Sequence, residues 1–551
     1  MAFFQESFVY KDLYQEGTFL KDIVHHFIDE DCRAGVDQDL SQFSSLAATT
    51  ILDLAFRAEA NPPQHQQFDP WGRRIDEIVM TPAWSELHDV SAQQGIVALG
   101  YQRESGADSR LHQFLKLMIF HPSSAFYSCP LAMTDGAASV LEEFGGELKE
   151  KYFPHLTSRD PLTFWTAGQW MTEKNGGSDV SQSETYATFE NGVYRLWGEK
   201  WFTSAITSQL AMALAQTEVK GEKKLSLFLV PIRNENGELN NIEVLRLKDK
   251  LGTRAMPTAE LELKGTPAYL VGELGRGVKN ITSVLNISRL YNAACATGTL
   301  LRLQSLATDY ARKRKAFGKI LIHHPLHSLS LLQAKADTQA SVLFVVHLSK
   351  LLGKKETQQS RPHEDHLLRL LTPVAKLWTA RKAMKQVSEL IESFGGAGYI
   401  EDTHLPVFLR DTQVFSIWEG TTNIMSLDTL RALGTPESLQ KSLLEIQKRL
   451  DCLAQDPKQK SLLGSLCELF KTLQNWLMSS LSSPSKSQWG ARIFAMSLGD
   501  FYAGLLMLEF AAKTQKERDL HLAKVYIKHL QSPNFQCTDE NVDEVQKTLE
   551  S

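Results

Sequence analysis

Residues 417–425, IWEGTTNIM, carry one acid, Glu419, with no Lys or Arg within five residues on either side. Such a carboxylate is either solvated at a surface or held in a pocket where burial raises its basicity, and the second case makes a general base. Three more stretches have the residue types of a binding site. QWMTEKNGGSDV at 169–180 places the hydroxyls of Thr172 and Ser178 around Gly176-Gly177, whose backbone amides a ligand can approach closely. KLGTRAMPTAELELKG spans 250–265, and ARKRKAFGK spans 311–319. In the latter, the Arg314 guanidinium is suited to pairing with a pyrophosphate. Taken singly, each stretch reads equally as a turn or a solvated helix end.

Those residues need elements to hold them, and the chain has three textures. Residues 1–165 read as helices joined by loops, with NPPQHQQFDPWGRR as a breaker-rich loop. Over 166–280 the period shortens. ETYATFE and VYRLWGEKWF flank Asn191-Gly192, the dipeptide of a type I′ hairpin, and LSLFLVPI, IEVLRL and AELELKG are further strands. A small antiparallel β-domain is the expectation.

Helical periodicity returns over 281–435. Leu367, Leu370, Val374, Leu377, Met384, Val387, Ile391 and Phe394 recur at steps of three, four or seven, and Gly395-Gly396 is a natural stop. Residues 436–551 form a helical extension that begins with PESLQKSLLEIQKRL and ends in a polar tail. The expected fold is therefore mostly α with a β insert: N-terminal helical domain, antiparallel β-domain, C-terminal helical bundle and extra helical extension. It lacks βαβ alternation and a G-x-G-x-x-G after a strand, so a nucleotide cofactor must be held in another way.

At 551 residues the length suggests two to four domains. A net charge of −5 gives no electrostatic case for nucleic acid or an anionic membrane. Six scattered cysteines (Cys32, Cys129, Cys295, Cys452, Cys467, Cys537) without C-x-x-C spacing point to reduced thiols, a cytoplasmic compartment and no metal site. The N-terminal MAFFQESFVYKDLYQEG lacks a basic region before an apolar run, and KTLES is no retention address. No membrane span is expected.

The four stretches at 169–180, 250–265, 311–319 and 395–431, in this order, resemble the acyl-CoA dehydrogenase flavoprotein family over roughly residues 90–435. ANPPQHQQFDPWGRRIDEIVMTPAWSELH at 60–88, the form MTEKNGGSDV and the extension look like its AidB-like branch, which is associated with bacterial alkylation damage and has relatives linked to fatty-acyl handling. The resemblance implies bound FAD and an acyl-CoA substrate. It places Met171, Thr172, Gly177 and Ser178 at the flavin, with Ser178 also toward the substrate. In GEKWFTSA, Phe202 stands where most of the family has Trp and Ser204 where most has Thr, and Trp201 is a candidate ring wall.

By the same resemblance, Arg314 and Phe317 reach the flavin of a neighbouring subunit, which implies a homo-oligomer, a dimer of dimers. Pro325 replaces a glutamine that contacts the adenosine half in many relatives. Thr421 and Asn423 fall at cofactor positions, and Arg289 at the substrate or in a structural ion pair. Glu419 occupies the base position of the family's EG motif, taking the α proton while a hydride leaves the β carbon for the flavin. The other base position of the family corresponds here to Ser288, which cannot serve, so the base is Glu419.

Two other functions compete with a dehydrogenase: a weakly catalytic or non-catalytic fatty-acyl-binding regulator, and a DNA-binding alkylation-response flavoprotein. Residues 435–551 hold 14 Lys and Arg against 14 Asp and Glu, a net charge of zero. The spacing of Lys513, Lys516, Arg518, Lys524 and Lys528 does not force them onto one face. DNA binding stays open on sequence grounds, and the extension is expected to pack between subunits. Acyl chain length and electron acceptor are not encoded in these motifs.

Overall fold

The computed structural model describes residues 5–480, 483–535 and 548. Cys537 and the polar tail after residue 535 lie outside them, apart from residue 548. The chain forms two compact units, one of residues 42–104 and 119–291, the other of residues 1–41, 105–118 and 292–551. The five described cysteines are free thiols.

The first unit contains the β-domain. Strands β1 (Gln64–Phe68) and β2 (Arg74–Val79) precede β3 (Ala167–Trp170), β4 (Tyr186–Glu190), β5 (Val193–Ser204), β6 (Leu210–Val219), β7 (Glu222–Pro231), β8 (Ile242–Leu247) and β9 (Thr258–Leu270). The last seven form one sheet in the order β3-β6-β4-β5-β9-β7, with β8 on β9 and an extra β6–β7 pairing that closes β6, β4, β5, β9 and β7 into a ring. Most pairs are antiparallel, but β3 and β4 each run parallel to β6, so the sheet is mixed rather than purely antiparallel. Asn191 and Gly192 both have positive φ, 51° and 83°, as a type I′ turn requires. One face of the sheet buries Leu210, Met212, Leu214, Leu227 and Leu229 against Ala137, Leu141 and Val284.

β1 and β2 correct the sequence expectation. NPPQHQQFDPWGRR is not a plain loop: Gln64–Phe68 pairs with Arg74–Val79. The strand QHQQF is polar except for its last residue, Phe68, so alternation of apolar residues gave no signal. Its turn is set by Asp69, whose Oδ1 accepts from the amides of Trp71 and Arg73, and by Gly72 at φ 82°. The hairpin docks on β8, with the Val244 amide donating to Asp76 Oδ2 and Arg74 Nη2 donating to the Val244 carbonyl.

The second unit is helical. Its long helices are Thr282–Lys313 (from Asn292 onward), Pro325–Glu356 and Pro362–Glu392, followed by Leu405–Thr412 and Thr422–Leu433. Of the eight apolar stripe residues, Leu367, Leu370, Val374, Leu377, Val387 and Phe394 are buried and Met384 and Ile391 half-buried. Burial is wider than a stripe, however: every residue from Leu370 to Ala380 is buried, about three turns enclosed on all sides.

The extension comprises Pro436–Leu453, Lys460–Ser480, Pro484–Thr514 and Glu517–Lys528. It packs on the rest of the helical unit of its own chain. Trp378 Nε1 donates to Asp500 Oδ1 at 2.9 Å, and a Cβ on Gly499 would lie 2.5 Å from the Trp378 ring, so that glycine admits the close approach. Pro484–Thr514 is long and apolar enough to cross a membrane, but 72% of its apolar window is buried in the fold, as in a core helix.

Candidate active site

The segment that carries Glu419 lies in the helical unit. Thr412 closes one short helix, Gln413–Ser416 makes a single 3₁₀ turn, and Thr422 opens the next helix. Glu419, between them, is half-buried and has φ 56°, in the left-handed region that a residue with a Cβ enters at a cost of about 1–2 kcal/mol. Gly420 follows at φ 104°, and a Cβ there would meet Met425 Cε at 2.4 Å, so only glycine fits. Lys376 Nζ donates to the Gly420 carbonyl at 2.5 Å, and this lysine is fully buried. Asn292 bridges the approach: its Nδ2 donates to the Phe415 carbonyl at 3.1 Å, and its Oδ1 accepts from Trp418 Nε1 at 2.5 Å.

Thr421 takes the N-cap position of helix Thr422–Leu433 without a side-chain cap bond, and it is exposed. The first amides of a helix left uncapped by side chains favour an anion. Asn423 is exposed, with Arg492 Nη1 of the extension 3.4 Å from its Oδ1. Arg314 Nη1 donates to Gln5 Oε1 at 2.9 Å within the same chain. Phe317 sits at φ 48° on the tip of the Lys315–Ile320 turn and is 97% exposed.

The β-unit holds the other residues. Met171 and Thr172 follow β3 directly and are half-buried, whereas Gly177 and Ser178 are exposed. The loop is folded back on itself: a Cβ at Gly177 would stand 2.9 Å from Thr172 Cγ2 and 3.0 Å from its Oγ1. The Trp201 amide donates to the Thr172 carbonyl at 3.0 Å, joining loop to strand β5. Ser204 Oγ lies 3.2 Å from Thr258 Oγ1. Lys248 Nζ lies 3.4 Å from the Trp201 ring centroid and 4.6 Å from that of Phe202, so cations attend the expected ring wall; Phe202 itself is more than half exposed. Ser288 is buried and its hydroxyl donates to the Leu285 carbonyl, while Arg289 beside it is half-buried.

Sequence reasoning passed over the pair that anchors this loop. Lys200 Nζ is fully buried and donates to Glu173 Oε1 at 2.6 Å and to the Leu214 carbonyl at 2.9 Å. The amides of Glu184 and Thr185 donate to the same carboxylate. Burial by itself would raise the Glu173 carboxyl, but the Lys200 ammonium and the amide donors outweigh it and hold it below the usual range. Glu173 in MTEKNGG and Lys200 in GEKWF are 27 residues apart; Lys200 lies inside the strand Val193–Ser204, whereas Glu173 stands in a polar loop and gave no signal. Gln169 was also missed. Its Oε1, two residues before Met171, is buried without a hydrogen-bond partner among the described residues.

These features fit an isoalloxazine. The Gln169 acceptor calls for an N–H donor, the Thr172 hydroxyl is at hand, and the Gly177 backbone leaves room where any Cβ would clash. Three basic residues of the extension are engaged within the chain. Lys516 Nζ and Arg518 both pair with Asp22, and Lys513 Nζ stands 4.6 Å from the Phe27 ring centroid. No helix N-terminal anion site or duplex-sized basic surface is needed to account for them.

The comparisons with known proteins agree with this arrangement. The AidB N-terminal domain family matches residues 5–160, the acyl-CoA dehydrogenase middle domain 168–266, its C-terminal domain 275–434, and an acyl-CoA dehydrogenase 11 C-terminal domain-like family 439–548. Acyl-CoA dehydrogenase family member 11 of Caenorhabditis elegans is 39% identical over 539 residues, covering 93% of this chain and 86% of the relative. The crystal structure of that organism's ACDH-11 in complex with C11-CoA superposes with a TM-score of 0.95 at 37% identity, covering 100% and 96% of the two chains. Putative acyl-CoA dehydrogenase AidB of Escherichia coli strain K12 is 33% identical, covering 75% of this chain and 78% of its own. An acyl-CoA dehydrogenase of Bacillus anthracis complexed with FAD shares the fold at 19% identity, with a TM-score of 0.73 and coverage of 93% and 89%. With matches that run from residue 5 to residue 548, the chain belongs to the acyl-CoA dehydrogenase family of FAD-dependent oxidoreductases, with the N-terminal domain of its AidB branch.

Proposed function

We propose that this chain oxidises an aliphatic acyl-CoA, with Glu419 as the base that removes the α proton. The observation that carries the reading is the Glu419-Gly420 turn: a carboxylate on a left-handed backbone, with a buried ammonium bonded to the next carbonyl. FAD, when bound, supplies the two-electron acceptor for the hydride that leaves the β carbon. The Glu419 carboxylate accepts the α proton, and the electron pair of the broken C–H bond becomes the new α,β double bond. Backbone N–H donation to the thioester oxygen meets the charge that develops there. A positioned base contributes on the order of 10²–10⁴ in rate.

Met171, Thr172, Gly177, Ser178, Phe202 and Ser204 are assigned to the flavin, with Trp201 as a supporting ring, and Thr421 and Asn423 to its phosphate-bearing half. Ser178 and Arg289 are assigned to the substrate. The C11-CoA held by the Caenorhabditis elegans relative makes a chain of that length the first substrate to test. Arg314 and the exposed Phe317 are assigned to a neighbouring subunit's flavin in a homotetramer. Exposed Tyr399 and Ile417, also in the helical unit, support association. The same reading includes the four-part division at about residues 165, 280 and 435 and a cytoplasmic location.

The test is an anaerobic titration of the FAD-loaded protein and its Glu419→Gln variant with acyl-CoAs of graded length. The oxidised flavin band should bleach in wild type and persist in the variant. Persistence in wild type with every acyl-CoA, despite bound flavin, would refute the reading.

A further inference from the structure

We propose that Lys376 and Asn292 are positioning residues that hold Glu419 on its left-handed backbone and thereby aim the base. This rests on the reading of Glu419 given above. Lys376 stands in the one stretch of helix Pro362–Glu392 that is enclosed on every side, and no part of it is exposed. The two threonines of that stretch are satisfied within the helix, Thr372 Oγ1 donating to the Leu368 carbonyl and Thr379 Oγ1 to the Ala375 carbonyl, each at 2.7 Å, and the Trp378 indole donates to Asp500. Lys376 reaches across to the Gly420 carbonyl, 44 residues away in sequence.

Burying an ammonium is expensive, several kcal/mol even after relaxation, and immobilising a lysine side chain adds up to about 2 kcal/mol. A leucine or methionine would fill the same volume at neither cost. What those residues lack is a donor at the end of a long stem. The acceptor is the carbonyl that directly follows Glu419, in a turn with two consecutive positive-φ residues. Strained backbone of this kind persists only where its surroundings over-determine it.

Asn292 supplies the second restraint, on the N-terminal side of the turn. It is buried in helix Thr282–Lys313 and bonds both the Phe415 carbonyl and the Trp418 indole, so residues 415 and 418 are fixed to one amide. After the turn, the Met425 amide donates to the Thr421 carbonyl as helix Thr422–Leu433 begins. Glu419 therefore lies between two clamps, one on the residues before it and one on the residue after it. With either clamp removed, the segment can relax toward negative φ, which rotates the carboxylate away from where it was held. Flavin and acyl-CoA contacts elsewhere are untouched by that rotation.

The experiment compares Lys376→Met and Asn292→Ala with wild type in four readouts: FAD per chain, C11-CoA affinity, amide hydrogen exchange of peptides covering 415–421, and kcat against KM. The exchange measurement needs neither turnover nor flavin chemistry. In both variants, exchange at 415–421 should rise at least tenfold while peptides from the middle of the flanking helices keep their rates. The kcat should fall about 10- to 100-fold with FAD content, affinity and KM within twofold of wild type. Unchanged exchange at 415–421, or a kcat loss that merely follows lost FAD or lost fold, would overturn the proposal. If Lys376→Met does not fold, Asn292→Ala decides alone. A wild type that binds FAD and C11-CoA but never reduces the flavin refutes the Glu419 reading itself; altered exchange in the variants would then still report the clamp.

Discussion

Replacing Glu173 by glutamine leaves Lys200 as a fully buried ammonium whose remaining acceptors are the Leu214 carbonyl, at 2.9 Å, and a neutral amide. Removing one partner of a buried pair costs about 3–5 kcal/mol. The loss has a ceiling, because Lys200 can give up its proton: at pH 7, neutralising a lysine with an ordinary pKa near 10.4 costs about 4.6 kcal/mol. Burial already pulls Lys200 below its ordinary value, with Glu173 opposing that pull. In Glu173→Gln the opposition is gone, and the folded chain binds one proton fewer than the unfolded chain between the two pKa values. Stability then rises with pH by about 1.4 kcal/mol per unit, so raising pH from 7 to 9 should recover up to about 2.7 kcal/mol. The assay is urea unfolding of wild type and variant at both pH values, with FAD per chain measured alongside. The gap between the proteins should be largest at pH 7 and narrow at pH 9. FAD content should fall with it, because the pair fixes the loop that carries Thr172 and Gly177. Adding Lys200→Met to the variant should restore part of the stability. A gap below about 1 kcal/mol at pH 7, or one that widens with pH, would refute the reasoning.

Asp39 should show the opposite pH dependence. Burial pushes its carboxyl up, but His112 at 2.7 Å and Lys116 at 2.8 Å outweigh this and hold it at about 2. The advantage of wild type over Asp39→Asn should be about 1–2 kcal/mol at neutral pH after solvent screening, and shrink as pH falls from about 4 to 2 in thermal unfolding. Gly177→Ala should push Thr172 aside and lower FAD per chain severalfold, with circular dichroism unchanged and stability within about 1 kcal/mol of wild type. Gly499→Ala should cost about 1–3 kcal/mol by driving a methyl group into the Trp378 ring, read as a lower unfolding midpoint.

The legible parts of the chain were those whose signal is local. Asn191-Gly192 announces a turn in two residues, and the stripe from Leu367 to Phe394 announces a buried helix face. The hairpin at 64–79 was missed because its first strand is polar up to Phe68 and its turn is set by an Asx motif. The mixed sheet was missed because strand direction depends on which strands meet, and nothing in β3 alone says that it enters beside β6. At the site, Glu419 could be picked out as an isolated acid. Lys376 and Asn292 could not be linked to it, because they act across 44 and 126 residues and each looks ordinary in its own helix. A lysine inside an apolar helical run was the one visible hint.

On that proposal the C-terminal extension belongs to the surroundings of Glu419 and is not an appended module. Helix Pro484–Thr514 packs on both Pro362–Glu392, which carries Lys376, and Thr422–Leu433, which begins two residues after Gly420. Asp500 accepts from the Trp378 indole two positions beyond Lys376, and Arg492 reaches Asn423 in the first turn of the other helix. The enclosed stretch of Pro362–Glu392 keeps the Lys376 ammonium, which donates to the Gly420 carbonyl, from water, and part of that enclosure comes from residues after 484. Its neutral net charge and inward-facing aromatics suit that task. Three of its basic residues, Lys513, Lys516 and Arg518, are engaged with Phe27 and Asp22.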